Sequence, residues 1–373
     1  MLAKNDIMYA MKDVLRSFAV QRFRSLGGVE LSDLGRVNVF VGRNGSGKTS
    51  ILEALYLFFS HARLESIIGT AERRGEYDKA ESGGWWAPSV RHFFSGHSLP
   101  GQNEWVSFSG DGVNVCITTS VKDMPLKDDY RVVKPTLMCH VAHLDQGGGS
   151  GGLSFPISKS GAIDTEIASD GGYSRRISGD DVPVVFVNPD GVDPRALLKM
   201  RDEVVSRGEE SELVDVLKIL NPNVKSVGFL SADEKRYETL VNGTLVGLDG
   251  VDGRVPIKTL GDGMRRLLVI AMSMICAKDG ALMLDEIDAG LHYSAMPGLW
   301  NFIYEAAVRN NVQVFASTHS LDCLRGLGAA CEMSADVSDQ IRLYAFSTVG
   351  KRVVSYSGRE VAIAIDREIE VRT

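Results

Sequence analysis

A glycine-rich segment near the start of the chain lies between an apolar run and a second stretch with helical periodicity. It reads G-x-x-x-x-G-K-T and consists of Gly42, Arg43, Asn44, Gly45, Ser46, Gly47, Lys48 and Thr49, with Ser50 directly after it. Residues 37–41 predict a buried strand, and residues 48–60 predict a helix. Such a strand–loop–helix unit directs backbone N–H groups and the positive end of a helix dipole at one point. The sequence therefore predicts a phosphate-binding loop, with Lys48 on the β- and γ-phosphates and the Thr49 hydroxyl on Mg²⁺.

A second apolar run ends in two adjacent carboxylates. Residues 281–284 predict a buried strand, and Asp285 and Glu286 follow it directly. In this position one carboxylate can hold the metal ion of a bound nucleotide, and the next can orient and deprotonate the attacking water. We therefore predict that Asp285 holds Mg²⁺ together with Thr49, and that Glu286 is the catalytic base. The alternative, a strand end with exposed acids, is weakened by the phosphate-binding loop in the same chain.

A third apolar run, residues 311–318, ends at His319. Ligands bind at the carboxyl ends of the strands in a doubly wound sheet. An imidazole at that edge can contact the γ-phosphate of a bound nucleotide. We predict that His319 senses the γ-phosphate, which makes Lys48, Glu286 and His319 the predicted catalytic residues. The alternative is a histidine that caps a helix or belongs to the core.

Two glycines open a further apolar helix, which is predicted to reach Ala277. This helix begins with Gly261, Asp262 and Gly263, and the N–H groups at such a helix start form an anion site. One nucleotide does not obviously use both this site and the phosphate-binding loop of the same chain. The economical solution is a homodimer or higher oligomer, in which this helix start meets the γ-phosphate held by the other subunit.

Composition limits the class of protein. The chain has 373 residues, of which 44% are hydrophobic and 24% charged, and a net charge of −7. This suits a folded α/β protein and argues against a surface covered with phosphate-binding cations, although one basic groove remains open. No apolar run approaches the roughly 18 residues of a membrane span, so we expect no membrane segment. The 5 scattered cysteines contain no C-x-x-C pair, which favours reduced thiols and a cytoplasmic location.

The predicted secondary structure changes in the segment between the two halves of the predicted site. Residues 62–75 look helical and charged, and short β-like runs follow at Val113–Thr118 and 131–144. We therefore predict an α/β fold, a P-loop NTPase sheet with flanking helices, into which a second lobe is inserted. Residues 1–60 and 181–373 are assigned to the ATPase head, and residues 61–180 to an inserted helical and β-rich lobe.

Four blocks of the sequence resemble a known family. They read VFVGRNGSGKTSILEAL, LGDGMRRLL, LMLDEIDAGLH and FASTHS. In these blocks the chain resembles ABC-type P-loop ATPases of the branch that includes RecF, the SMC proteins and the OLD ATPases. Within that branch it is most similar to stand-alone AAA-family ATPases, many of which occur in anti-phage defence loci. The resemblance implies an ABC-type head, ATP and Mg²⁺ as ligands, and a dimer that closes on ATP.

The resemblance also carries over to single residues, with some departures. It implies that residues 260–264 form a signature loop that contacts the nucleotide of the other subunit. Gly261 stands where the family usually has Ser, and Asp262 where it usually has Gly, so a hydroxyl donor is missing. Phe23-Arg24-Ser25 resembles an FRS element whose arginine can approach the nucleotide. For Arg24 that role and a surface arginine are both left open.

Several other classes of protein share part of this chemistry. A transporter ATPase subunit is disfavoured because Lys48 and Asp285 are about 240 residues apart and the signature is altered. A ring-forming AAA+ remodeller has its two nucleotide motifs closer together and no glycine signature between them. A small-molecule kinase needs an acceptor site, which no motif indicates. A Toprim nuclease domain is not expected after His319, because too few residues follow it.

The expected partners come from the resemblance. It implies ATP hydrolysis in an ATP-sandwiched dimer that regulates a separate effector protein, for which a Toprim-type nuclease is the hypothesis. DNA binding on the outer face of the dimer, as in RecF-like relatives, is an alternative that the acidic net charge disfavours. Anti-phage defence and DNA maintenance are the two processes that these partners suggest.

Overall fold

The computed structural model describes residues 14–80, 85–99, 105–125, 133–144, 150–163, 182–230, 243–347, 352–367, 369 and 371. These residues belong to two compact units. The first comprises the described parts of Leu15–Asp33 and Thr49–Asp181, and the second those of Leu34–Lys48 and Val182–Thr373. The division at residues 60 and 180 that the sequence suggests stays a prediction.

The described residues form both strands and helices. The strands are β1 Phe18–Gln21, β2 Val29–Leu31, β3 Val37–Gly42, β4 Tyr77–Lys79, β5 Trp86–Pro88, β6 Val106–Gly110, β7 Val113–Pro125, β8 Val133–Leu144, β9 Ser150–Ile157, β10 Val184–Val187, β11 Val224–Phe229, β12 Thr244–Leu248, β13 Arg254–Pro256, β14 Ala281–Leu284, β15 Gln313–Thr318, β16 Ile341–Phe346 and β17 Val353–Ser357. The helices are α1 Lys48–Phe59, α2 Leu64–Arg73, α3 Pro194–Arg207, α4 Glu210–Leu217, α5 Asp262–Cys276, α6 Met296–Arg309, α7 Leu321–Met333, α8 Ala335–Gln340 and α9 Gly358–Asp366. The predicted α/β class is confirmed.

The second unit is built on a mostly parallel sheet. Its strands lie in the order β10-β14-β15-β3-β16-β17, and only β17 runs antiparallel to its neighbour. Strands β3, β14 and β15 are buried at every residue, as their continuous apolar runs predict for a parallel sheet covered on both faces. Because these three strands are adjacent and parallel, their carboxyl ends meet at one edge.

Helices of the second unit bury apolar stripes together with this sheet. Helix α5 buries Met264, Leu267, Ile270 and several further apolar residues in the same core cluster as the sheet strands. The fully buried Trp300 of α6 donates its Nε1–H to the Cys323 carbonyl oxygen of α7 at 3.0 Å. A buried indole N–H satisfied in this way fixes the two helices to each other. The edge of the sheet therefore rests on a packed core.

The first unit is rich in β-structure. Its main sheet is antiparallel, in the order β2-β1-β6-β7-β8-β9, and β4 pairs with β5 in a separate hairpin. Phe23 packs edge-on against Phe93 and Phe108, with ring centroids 5.6 Å and 5.3 Å away. The β-like runs of the sequence correspond to β7 and β8, and the helical run 62–75 corresponds to α2. None of the helices in the described ranges is long and apolar enough to cross a membrane.

Candidate functional site

The glycine-rich loop follows β3 in a conformation that requires glycine. Gly42, Gly45 and Gly47 have φ values of 148°, 78° and 105°, a region that side chains with a Cβ rarely enter. A Cβ on Gly42 would also lie 2.6 Å from the carbonyl oxygen of Phe346. The loop therefore curls at the carboxyl end of β3, and helix α1 begins directly after it at Lys48.

Lys48 folds back over this loop. Its Nζ donates to the carbonyl oxygens of Gly42 at 2.8 Å and Arg43 at 3.0 Å, and the residue is 8% exposed. Burial lowers the pKa of Lys48, while the nearby carboxylates of Asp285 and Glu286 raise it. The ammonium therefore lies between the loop that should hold phosphate and the two carboxylates at the end of β14.

Asp285 and Glu286 are held by a serine on the neighbouring strand. The hydroxyl of Ser317 donates to the Asp285 carboxylate and accepts the backbone N–H of Glu286 at 2.9 Å. Ser317 is fully buried on β15, and Asp285 is 5% exposed. No role is predicted for Ser317 from the sequence, although its position two residues before His319 in the block FASTHS is a signal that could have suggested one. Ser317 fixes both the direction of the Asp285 carboxylate and the turn at Glu286.

The Glu286 carboxylate and the His319 imidazole face the same space. Glu286 Oε1 lies 3.9 Å from His319 Nδ1, and the two side chains are 41% and 49% exposed. Glu286 has a φ of 45°, so the chain turns sharply after β14. Unlike Asp285, both groups are accessible to water and to a ligand at the sheet edge. The structure thus brings Lys48, Asp285, Glu286 and His319 to one edge of one sheet, and their individual roles stay predictions.

Arg266, in the first turns of α5, is a site residue that the sequence analysis did not identify. It is 6% exposed, and its guanidinium donates to the carbonyl oxygens of Asp285 at 2.9 Å and Glu286 at 3.1 Å. It also donates to the carbonyl oxygens of Asn188 and Pro189 after β10. Burial lowers the pKa of Arg266, and the surrounding carboxylates, with Asp285 the strongest, oppose that effect. The basic pair Arg265-Arg266 therefore contains one residue that is internal.

The second predicted anion site lies at the start of α5. Gly261 precedes the helix with a φ of 94° and offers no side-chain cap, and Asp262 is exposed and paired with Arg265 at 3.1 Å. A Cβ on Gly263 would lie 3.1 Å from the carbonyl oxygen of Gly290. This helix start is accessible, and it packs closely against the loop that follows Glu286. Its contact with a second nucleotide stays a prediction.

Arg24 lies in the first unit and is not a surface residue. It is 6% exposed, so the interpretation as a surface arginine is wrong. Its guanidinium pairs with Glu53 at 2.8 Å and with both carboxylate oxygens of Glu76. Ser50, on the same helix as Glu53, accepts from Arg74 Nη2 at 3.4 Å. The approach of Arg24 to a nucleotide stays a prediction.

The residues at the end of β14 suit a magnesium ion. Mg²⁺ prefers carboxylate, hydroxyl, phosphate and water oxygens, and a buried carboxylate such as Asp285 needs a compensating cation. Within the described ranges, no group of three or more His, Cys, Asp or Glu side chains could hold a metal on its own. Phosphate oxygens and water would therefore complete the shell of an ion held by Asp285, and the contribution of Thr49 stays a prediction.

Two family models match the chain. One, described as an AAA ATPase domain, matches residues 11–170. The other, described as an AAA domain, putative AbiEii toxin, Type IV TA system, matches residues 209–324. The first match contains the predicted phosphate-binding loop, and the second contains the predicted signature loop, Asp285 and Glu286.

Individual proteins are similar over different lengths. The chain is 20% identical to an ATP/GTP phosphatase of Helicobacter pylori (strain ATCC 700392 / 26695), covering 95% of this chain and 99% of that protein. It is 39% identical to the DNA replication and repair protein RecF of Anaeromyxobacter dehalogenans (strain 2CP-C), over 20% of each chain. A solved structure of an SMC head bound to the C-winged helix domain of ScpA covers 95% of this chain and 100% of that one, with 16% identity and a TM-score of 0.48.

The family matches and the local geometry concern the same residues. Both family models describe AAA domains, and the two segments that carry the predicted nucleotide chemistry meet at one sheet edge. The chain is therefore similar to AAA-type ATPase domains over residues 11–170 and 209–324.

Proposed function

We propose that the protein hydrolyses ATP to ADP and phosphate in a Mg²⁺-dependent reaction, and that two copies close around ATP to regulate a separate effector protein. The observation that carries the first part is the position of Lys48 between the glycine loop and the carboxylates of Asp285 and Glu286. A cation there can exchange loop carbonyl oxygens for phosphate oxygens. Burial lowers the pKa of Lys48, and the charges of the two carboxylates oppose that shift.

The hydrolytic step follows from the exposed pair at the sheet edge. The carboxylate of Glu286 accepts a proton from a water molecule as that water attacks the γ-phosphorus, and general-base catalysis of this kind contributes about 10²–10⁴-fold. His319, 3.9 Å from that carboxylate, donates to the γ-phosphate and orients it for in-line attack. Asp285 and Thr49 would hold Mg²⁺, which would neutralise charge on the phosphate oxygens. Backbone N–H groups of the loop hold the β-phosphate.

Phosphate release by the purified protein tests the reaction. We expect turnover with ATP and Mg²⁺, loss of turnover with EDTA, and recovery when excess Mg²⁺ is restored. The Glu286→Gln variant, in which hydrolysis is blocked, should form dimers with ATP in size exclusion with light scattering. Absence of phosphate release by the wild type under all these conditions would refute the ATPase proposal, and a Glu286→Gln protein that stays monomeric at saturating ATP would refute the sandwich.

Replacing His319 with alanine should lower turnover more than affinity. A side chain that acts on the γ-phosphate during attack changes kcat, so we expect about a 10- to 100-fold fall in kcat and less than about a threefold change in ATP Kd. Phosphate release and a binding titration measure the two quantities. His97→Ala is the control, because His97 is exposed in the first unit. Weaker binding with unchanged kcat would make His319 a residue that only positions ATP.

The proposal of a separate effector protein rests on the family resemblance. A Toprim-type nuclease is our first candidate, with anti-phage defence as the process. Affinity purification from native cells, with the wild type and the Glu286→Gln variant as baits, tests this. An effector bound preferentially by the ATP-loaded variant supports the proposal. Recovery of the ATPase alone from both baits contradicts it.

A RecF-like role in DNA maintenance is the second candidate. The 39% identity to RecF over 20% of the chain favours it, and the net charge of −7 disfavours a broad phosphate-binding surface. Filter binding with duplex DNA across a salt series distinguishes this role from the regulation of an effector protein. Steeply salt-dependent binding supports DNA as a partner, and no binding at low salt excludes this second candidate.

A further inference from the structure

We propose that Arg266 is a positioning residue that connects the glycine-started helix α5 to the carboxylate pair Asp285–Glu286 of the same subunit. The inference rests on the proposed ATPase function and adds a route between the two anion sites of that function. It concerns the second unit alone, where every residue of the argument lies.

Arg266 joins the ends of two parallel strands through their backbone. One terminal nitrogen, Nη1, donates to the carbonyl oxygens of Asn188 and Pro189 after β10, and the other, Nη2, donates to those of Asp285 and Glu286 after β14. All four acceptors are main-chain oxygens. A planar guanidinium with its donors in a fixed fork can serve two chain segments at once, which an ammonium cannot do with the same geometry. Arg266 therefore sets the spacing and direction of the two strand ends.

We call these four contacts of Arg266 the clamp. The direction of the Asp285 and Glu286 side chains depends on the clamp because the backbone at Glu286 is strained. Glu286 has a φ of 45°, and a residue with a Cβ keeps that conformation only where its surroundings enforce it. Arg266 donates to the Glu286 carbonyl oxygen at 3.1 Å, and the Ser317 hydroxyl accepts the Glu286 N–H at 2.9 Å. The residue that carries the proposed base is thus held at both of its main-chain polar atoms. Loosening either contact would spread the directions in which the Glu286 carboxylate points.

The clamp belongs to the helix that begins with the second anion site. Arg266 lies about one turn beyond Gly261–Gly263 on α5, and a helix transmits a displacement of its first turn to the next. In the proposed dimer, the start of α5 contacts ATP held by the other subunit. A displacement of α5 by that contact would therefore be transmitted to the Glu286 backbone by Arg266, and the subunit's own bound nucleotide would not be needed for it. Each subunit would sense its partner's ATP at its own catalytic base.

Two substitutions and a matched control test this role. Arg266→Lys keeps the charge but loses the fork, and Arg266→Met removes the charge as well. The control is Arg207→Lys, because Arg207 also donates to a backbone carbonyl oxygen, that of Ile275 at 3.2 Å, which lies at the opposite end of α5. For each variant we would measure kcat, ATP Kd and amide hydrogen exchange, with exchange resolved for residues 285–291 and for the rest of the second unit.

We expect Arg266→Lys to lower kcat about tenfold and Arg266→Met about 100-fold, with less than about a threefold change in ATP Kd. Amide exchange at 285–291 should rise at least about tenfold in both variants, while exchange elsewhere stays within about twofold. Arg207→Lys should leave kcat and the exchange of 285–291 unchanged. If Arg266→Met does not fold, Arg266→Lys carries the test because it keeps the buried charge.

Two results would overturn the inference. Unchanged exchange at 285–291 would show that Arg266 does not hold that segment. A uniform rise in exchange with equal losses in affinity and turnover would make Arg266 a general contributor to stability. The exchange measurement needs no turnover, so a wild type that releases no phosphate would refute the ATPase proposal while leaving the clamp tested on its own.

Discussion

Replacing Lys48 with alanine will abolish nucleotide binding and turnover together. The ammonium now satisfies the carbonyl oxygens of Gly42 and Arg43, and in the bound state it would exchange them for phosphate oxygens. Hydrogen bonds to charged groups contribute about 1.5–3 kcal/mol each, so losing two weakens ATP binding by about 3 kcal/mol or more, at least about 100-fold. Isothermal titration with ATP and Mg²⁺ measures the affinity, and phosphate release measures the turnover.

The carboxylates near Lys48 add to the expected effect of its substitution on ATP binding. Burial lowers the pKa of Lys48, and the Asp285 and Glu286 carboxylates oppose that shift, so alanine leaves two carboxylates without their cation and phosphate would approach a negative site. Lys199→Ala is the control, because Lys199 lies exposed on α3 and should change neither quantity. Tight ATP binding by Lys48→Ala would refute the assignment of the loop.

The predicted site came from short-range patterns, and these patterns were reliable where the backbone itself is the functional group. A glycine-rich turn between a buried strand and a helix has few conformations available, so Gly42, Gly45 and Gly47 take positive φ values as the motif requires. Continuous apolar runs identified β3, β14 and β15. Parallel strands place their carboxyl ends on one edge, and the glycine-rich loop together with the carboxylate pair after a buried strand predicted that Lys48 lies near Asp285 and Glu286.

The residues that support the site could not be found in this way. Arg266 and Ser317 act through contacts with segments that are distant in sequence, and neither an internal arginine nor a strand serine has a local pattern. Arg24 illustrates the same limit. Its sequence neighbours do not show whether it is exposed or buried, and it is buried because it pairs with Glu53 and Glu76, which are distant in sequence. Ion pairs between distant segments depend on how the chain packs in three dimensions, and a single sequence does not show which segments come into contact.

Replacing Glu286 with glutamine will separate ATP binding from hydrolysis. Glutamine keeps the size of the side chain and the φ of the turn but cannot accept the proton of the attacking water, so we expect kcat to fall about 10²–10⁴-fold. ATP should bind at least as tightly as in the wild type, since one negative charge near the γ-phosphate is removed while Asp285 remains beside Lys48. With hydrolysis blocked, the closed state should accumulate as a stable dimer in size exclusion with light scattering.

The control for this variant is Glu305→Gln, because Glu305 lies exposed on α6. The Glu305→Gln protein should hydrolyse ATP normally and form dimers only transiently. Because both variants lose one negative charge, a difference between them reports the position of the carboxylate and not the net charge. A Glu286→Gln protein that remains monomeric at saturating ATP would separate hydrolysis from dimer closure and remove the basis for a nucleotide sandwich. Near-normal turnover would instead transfer the role of base to another residue at the edge where β3, β14 and β15 end.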